Sequence, residues 1–335
     1  MDLSVNLRDH INITLQKTIS DYDWLIMNEN MQPKKVESVL KGVRDWGYRE
    51  RVLTLVSEGD WTAKDAECNY LDVPHLNEVH SQARTETFFY GHQCTSSVLN
   101  QKVGPFEFLS VLTIYASGPN ELSYSSSIGP ILLIVQSKWQ DIGINRARVE
   151  TIYHIFAPTI FRWTLKLVEK ILKRNYFILM SEDLPLRERK GKLRKQGFSF
   201  KHDNLLHSFL DSRNIATNNV VLPKEMPEQI YKLSISSLTD GQSHFLGSDD
   251  INGLRLEKNG SQILVGPRMC MHEGACLDEV KLDSQTLRCP WHGRKIRMFG
   301  TIQIEPSSPI EVSPGLIISQ THTELTIKWL PLNKL

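Results

Sequence analysis

Cys270-Met-His272-Glu-Gly-Ala-Cys276, answered further on by Cys289-Pro-Trp-His292-Gly293, is the pair of segments that decides the reading of this chain. It has the form C-x-H-x16-C-x2-H. Two soft thiolates and two imidazoles suit iron-sulfur or zinc chemistry, and the spacing puts one Cys and one His on each of two loops. Two such loops can clasp one metal centre from opposite sides. The competing reading is a Cys2His2 zinc knuckle, although those sites pair cysteines as C-x2-C rather than alternating Cys with His.

The segments around the motif are rich in strand formers: IYKLSISSL, GLRLEKNGSQILVG, TLRCPW, IRMFGTIQIE and LIISQTHTELTIKWL. Asn259-Gly260 between two alternating runs predicts a type I′ hairpin. Residues 226–335 therefore form a small antiparallel β domain. Residues 201–225 contain no strong period and end in VLPKEMPEQ, which marks a linker. Upstream, residues 1–50 carry Leu7, Ile11, Leu15 and Ile19 at helical spacing. From 51 to about 160 short β-prone runs follow, RVLTLV, TFFYG, FEFLSVLTIYA, GPILLIVQ and VETIYHIFA, interrupted by a helical stretch from Asp65 to about Gln82. A long helix runs from about Phe161 to Gly197, kinked or broken near Pro185. An antiparallel sheet wrapped on a long helix fits residues 51–200, so the chain is α+β with two domains.

The composition agrees with this. The chain has 335 residues, 40% hydrophobic and 23% charged, which is enough for two cores. A net charge of +1 gives no global field to recruit nucleic acid or an anionic membrane. No run of 18 apolar residues exists, and MDLSVNLRDH lacks the regions of a secretory signal. A cytoplasmic location with no nucleic-acid or membrane partner is the expectation. Five cysteines at uneven spacing do not make a disulfide framework.

At Cys270, His272, Cys289 and His292 the C-terminal part resembles the Rieske proteins. The resemblance implies a [2Fe-2S] cluster, with Cys270 and Cys289 on one iron and His272 and His292 on the other. Trp291 stands where respiratory-type relatives place a disulfide cysteine, so Cys276 has no obvious partner and reads as a small buried residue. A Rieske cluster moves single electrons and needs an acceptor. Asp72-x2-His75-x4-His80, within the stretch from Asp60 to His80, resembles the mononuclear iron motif of Rieske non-heme iron oxygenases. In that family two His and a later carboxylate form a facial triad on Fe(II). The resemblance places the carboxylate at Asp183, with Glu182 as the fallback, and gives the domain a helix-grip (START-like) fold. It makes Asp72 an electron-transfer bridge from His75 to a Rieske histidine, across a subunit boundary in a homotrimer.

Residues five apart lie about 140° around an ideal helix, so His75 and His80 need a distortion, from Pro74 or a π-type bulge. The domain order is reversed relative to the family, whether by circular permutation or by fusion. The family implies O2 activation with hydroxylation or oxidative demethylation of a small, hydrophobic organic substrate, fed by a ferredoxin or flavin reductase. Phe88, Phe106, Phe108, Tyr153 and Phe156 are candidate cavity residues, or plain core. The basic run Arg187, Arg189, Lys190, Lys192, Arg194 and Lys195 reads as a solvated helix face, with donor docking as the alternative. A non-catalytic Rieske electron carrier or redox sensor, and a desaturase or cyclising oxidase on the same metals, are the rival functions.

Overall fold

The computed structural model describes residues 36–330, apart from 73–74, 82, 91–93, 104–105, 119, 205–218, 224–225 and 306. The N-terminal periodicity at Leu7, Ile11, Leu15 and Ile19, and Pro74, fall outside these residues.

Alternation of apolar and polar residues builds the first domain. Strand β1 (Tyr48–Gly59) buries Leu53 and Leu55 and exposes Val52, Thr54 and Val56, the two-residue period of a half-covered strand. It pairs with β7 (Arg146–Pro158), and β2 (Ala83–Tyr90), β3 (Cys94–Val103), β4 (Phe106–Gly118), β5 (Glu121–Ile128) and β6 (Ile131–Gly143) complete one antiparallel sheet. Its order is β1-β7-β6-β5-β4-β3-β2. Helix α1 (Val36–Asp45) covers one face, with Val36, Leu40 and Val43 on Ile134 and Phe156. The other face carries Leu133, Val135, Tyr153 and Ile155, and packs on Leu165, Tyr176 and Met180 of the long helix. Central strands β6 and β7 are thus covered on both sides, which is why they read as continuous apolar runs.

Two short helices precede the long one: α2 (Ala63–Leu71), capped by a Thr62/Asp65 capping box, and α3 (Leu76–Val79), a single turn. The long helix, α4 (Leu165–Lys195), has 31 residues and contains Pro185 without a break. The helix is therefore not broken at Pro185, which removes one backbone bond within it. The sheet wrapped around α4 is the helix-grip arrangement.

Strand β8 (Ser199–Phe200) pairs with β9 (Val220–Val221). Both ends of the supposed linker are therefore anchored, in a core of Leu193, Phe198, Phe200, Val220, Leu222, Ile251 and Met269 that draws on both domains. The second domain packs two four-stranded sheets over Leu254, Leu256, Ile263, Val265, Leu316, Ile318, Leu325 and Ile327. One sheet contains β10 (Gln229–Ser234), β18 (Ser307–Ser313), β19 (Leu316–Gln320) and β20 (Glu324–Trp329). The other contains β11 (Ser243–Leu246), β12 (Leu254–Asn259), β13 (Gln262–Pro267) and β17 (Gly300–Gln303). A ribbon of β14 (Leu282–Asp283), β15 (Thr286–Arg288) and β16 (Lys295–Arg297) stands apart. In the β12–β13 hairpin Asn259 pairs with Gln262 and Gly260 alone of the turn takes positive φ, 59°. The turn is thus Gly260-Ser261 in the type II′ pattern, not type I′. Among the described residues no helix is long and apolar enough to cross a membrane.

Candidate metal centres and the bridge between them

The helical stretch from Asp65 to Gln82 is not continuous. Helix α2 stops at Asp72, whose N–H still donates to the Cys68 carbonyl at 3.0 Å. His75 and His80 then bracket α3: His75 is helical (φ −67°, ψ −23°), and His80 is extended (φ −92°, ψ 128°). That change of backbone at the end of a single turn, rather than a π bulge, turns both imidazoles to one side. Their Nε2 atoms lie 3.1 Å apart. Asp183, on α4, brings Oδ1 to 3.4 Å from His75 Nε2 and 3.3 Å from His80 Nε2. Three ligand atoms on one ion about 2.1 Å away lie about 3.0 to 3.4 Å from each other. The trio fits one small metal ion.

The flanking bonds point each imidazole the right way. Glu182 accepts from His80 Nδ1 at 2.9 Å, and the Asp72 carbonyl accepts from His75 Nδ1, leaving both Nε2 atoms as the inward lone pairs. Glu182 therefore meets the outer nitrogen of His80, while Asp183 meets the inner ones. Burial alone would raise the Asp183 carboxyl, but the two histidines and the Arg187 guanidinium beside it hold it far below the ordinary range. The anion persists in a site that is almost sealed from solvent.

Two further residues, not foreseen from the sequence, hold this group. Asn69 of α2 donates from Nδ2 to Asp183 Oδ1 at 3.2 Å and receives Arg187 Nε on Oδ1 at 2.8 Å. The Arg187 guanidinium is fully buried between Trp61 and Tyr70, 5.3 and 5.0 Å from their ring centres. Its Nη2 is 3.6 Å from Asp183 Oδ2. A cation held against two aromatic faces compensates the buried carboxylate without a direct short bond. The available signal was the spacing of Asp183, Arg187, Lys190 and Arg194, four, three and four residues apart, which sets four charges on one face of α4.

In the second domain the two motif loops share one hydrogen-bond plan. Gly274 N donates to Cys270 O and Cys270 N to Ala275 O, both at 2.8 Å. Gly293 N donates to Cys289 O at 2.9 Å, and Cys289 N to Arg294 O at 2.8 Å. Each turn closes on a left-handed glycine, at φ 87° and 62°. At Gly274 any side chain would collide with Leu193 of α4, 2.2 Å from an added Cβ. His272 and His292 present Nδ1 atoms to each other at 3.3 Å. The hydrogen bond between the two sulfurs pushes Cys289 below the ordinary thiol range and Cys270 above it. Paired cysteines on one side and paired imidazoles on the other, all but His292 buried, are the donor set that a two-iron cluster needs. Cys276, expected as buried, is exposed.

The two centres meet at one carboxylate. His292 Nε2 donates to Asp72 Oδ2 at 2.6 Å. Burial alone would lower this imidazole, but the bond to Asp72 outweighs it and lifts His292 to about 9. Beside it, Lys190 Nζ pairs with Glu273 Oε2 at 2.9 Å, both side chains 3% exposed, and the same oxygen is 3.9 Å from His292 Nε2. The basic run is accordingly not a solvated face. Arg187 and Lys190 are buried, Arg189 grips Asp250 and the Gly274 carbonyl, and Arg194 binds Asp65 and Asp203. Lys192 and Lys195 alone of the run are exposed.

The family model for the Rieske [2Fe-2S] domain matches residues 233–314. The C-terminal domain is a Rieske domain. Electron transfer through a [2Fe-2S] cluster follows from that assignment. No curated protein matches the chain. Among solved structures, the chain is similar to the ZhuI aromatase/cyclase from Streptomyces sp. R1128, at 11% identity over 42% of this chain and 96% of that one, TM-score 0.38. It is similar to norcoclaurine synthase from Thalictrum flavum, at 13% identity over 46% and 91%, TM-score 0.35. It is also similar to dicamba monooxygenase, at 12% identity over 50% of this chain and 57% of that one, TM-score 0.37.

The aromatic candidates divide. Tyr153 lies in the core facing α4, near Tyr124 and Tyr176, while Phe156 is on the opposite face of the sheet under α1 and cannot line the same space. The side chains of Phe88, Phe106 and Phe108 lie outside the described set. Burial pushes the Tyr124 and Tyr153 hydroxyls up, and that of Tyr176 to about 12, so all three stay protonated as hydrogen-bonding groups.

Proposed function

We propose that this chain is a Rieske-type non-heme iron oxygenase that accepts electrons from an external reductase or ferredoxin and hydroxylates or oxidatively demethylates a small organic substrate. Cys270, Cys289, His272 and His292 would hold the cluster, and His75, His80 and Asp183 an Fe(II). When bound, the cluster supplies single electrons and the Fe(II) activates O2. Asp72 carries the reading, because one residue orients His75 through its carbonyl and accepts His292 Nε2 through its carboxylate.

The chain's own groups prepare that chemistry. Glu182 and the Asp72 carbonyl fix the tautomers of His80 and His75. Arg187 and Asn69 hold Asp183 as an anion. The apolar shell of Trp61, Ala66, Leu122 and Trp139 beside α2 keeps water from the interior. His75, His80 and Asp183 would hold the iron, and the Tyr124, Tyr153 and Tyr176 hydroxyls would be the polar contacts of a substrate that is hydrophobic in the main. The bridge from Asp72 to His292 within one chain supports a chain that serves its own iron, so this reading does not depend on the family's homotrimer.

Metal analysis with single-site variants tests the proposal. About three irons per chain are expected, two of them acid-labile with sulfide. His75→Ala should leave about two and an unchanged Rieske spectrum. Two irons in the parent chain, unmoved by His75→Ala, would instead establish an electron carrier.

A further inference from the structure

The β14–β15–β16 ribbon has two unlike faces. Its inner face places Leu287 opposite Ile296, packed with Cys270, Cys289 and Trp291. Its outer face places Arg288 opposite Lys295, and Arg297 opposite Thr286. Between Arg288 and Arg297 the sequence has four cations and no acid, in a chain of net charge +1. Arg288, Arg294, Lys295 and Arg297 are all exposed. Lys281, just before the ribbon, is exposed as well. Arg288 pairs with Glu78 of α3 while its side chain stays 67% exposed, and Lys281, Lys295 and Arg297 form no ion pair among the described residues. Asp283 and Glu279 are the acids nearby.

The histidine side of the centre is closed, since His292 meets Asp72, and Glu273 and Lys190 fill the space beside it. An electron from outside must then arrive by the cysteine side, beneath the ribbon. We infer that the outer face of the ribbon, centred on Lys295 and Arg297, is the docking surface for an acidic one-electron carrier protein, which passes its electron through the ribbon to the Cys270/Cys289 side. The inference rests on the proposed function and adds the place and charge of the partner. Only an electron is transferred: the reduced carrier is oxidised by one, and the cluster is reduced by one. Clustered like charge of this kind raises encounter rates about 10- to 1,000-fold and loses that gain in salt.

The test uses the full chain as purified, with a photoreduced acidic plant-type ferredoxin as protein probe. Two inorganic oxidants of opposite charge, ferricyanide and hexaammineruthenium(III), each take one electron from the reduced chain. Lys295→Glu/Arg297→Glu should slow ferredoxin reduction and ferricyanide oxidation about tenfold or more at low salt, and quicken oxidation by hexaammineruthenium. Iron content and visible spectrum should match the parent. Lys170→Glu/Arg174→Glu, the same charge change on α4 away from the ribbon, should leave all three rates near those of the parent. Equal rates for the two double variants, in an iron-loaded chain, would overturn the docking surface alone. A parent chain without a Rieske spectrum would overturn the proposed function, and this surface with it.

Discussion

Asp72 accepts the Nε2–H of His292 at 2.6 Å, although 220 residues separate the two in sequence, and both belong to one chain. In the family that the motifs resemble, this contact joins neighbouring subunits. Here it lies inside a single polypeptide.

Asp72→Ala removes this contact while leaving the backbone carbonyl that orients His75. Both centres should keep their metal. Single-turnover oxidation of the reduced cluster in the presence of O2 should slow about 100-fold, the scale of losses when a ligand's outer partner is deleted. A rate within twofold of the parent would show that electrons take another route.

Asp183→Ala and His80→Ala should each lose about one iron of three. Glu182→Ala removes only the acceptor at His80 Nδ1, so iron should bind there about 10- to 100-fold more weakly rather than vanish. Competition with a chelator of known affinity measures the difference.

Lys190→Met removes the cation that faces the buried Glu273 carboxylate and should cost about 3–5 kcal/mol in urea denaturation. Lys190→Met/Glu273→Leu removes both charges and should recover most of the loss. If the double variant is as unstable as the single one, the pair is not what holds this surface together.

An added Cβ at Gly191 would lie 1.7 Å from the Asp60 carbonyl oxygen. Gly191→Ala must therefore push α4 away from the Asp60–Trp61 backbone, against its gain in helix propensity. A net loss of about 1–3 kcal/mol is expected from overpacking, and calorimetry would reveal it as a lower melting temperature.

Glu50 supplies a pH-dependent case. Burial alone would raise its carboxyl, but hydrogen bonds from Arg44 and His154 prevail and hold it below 4.5. A depressed folded value means that the stabilisation is complete above about pH 4.5 and is lost as pH falls through the folded value. Glu50→Gln should cost on the order of 1 kcal/mol at pH 7. Melting temperatures of the two proteins should converge below pH 4.5. A constant gap down to pH 3 would exclude this ionisation as the cause.

The grouping of the candidate ligands was legible because metal ligation would constrain residue type and spacing at once. Cys270, His272, Cys289 and His292 had to fall on two short loops, and His75, His80 and Asp183 had to be reachable from a helix pair and a later helix. The strand runs of β1, β4, β6 and β7 were legible for a related reason, since burial on one or both faces imposes its period on the residues themselves. Other features depend on partners distant in the chain. Nothing local tells that Arg187 is stacked between Trp61 and Tyr70, or that Lys190 meets Glu273. A run of cations on a helix reads as solvated until the second domain arrives to bury it. The distortion expected between His75 and His80, from Pro74 or a π-type bulge, is met by a change of backbone region at the two ends of α3, which satisfies the same geometric demand.

Helix α4 presents Asp183 to the first centre and, seven residues later, Lys190 to the loop that bears the second. At 1.5 Å of rise per residue, about 10 Å of rigid rod separates these two attachment points. The helix is in effect a ruler. The separation of these two contacts is written into the count of residues between 183 and 190.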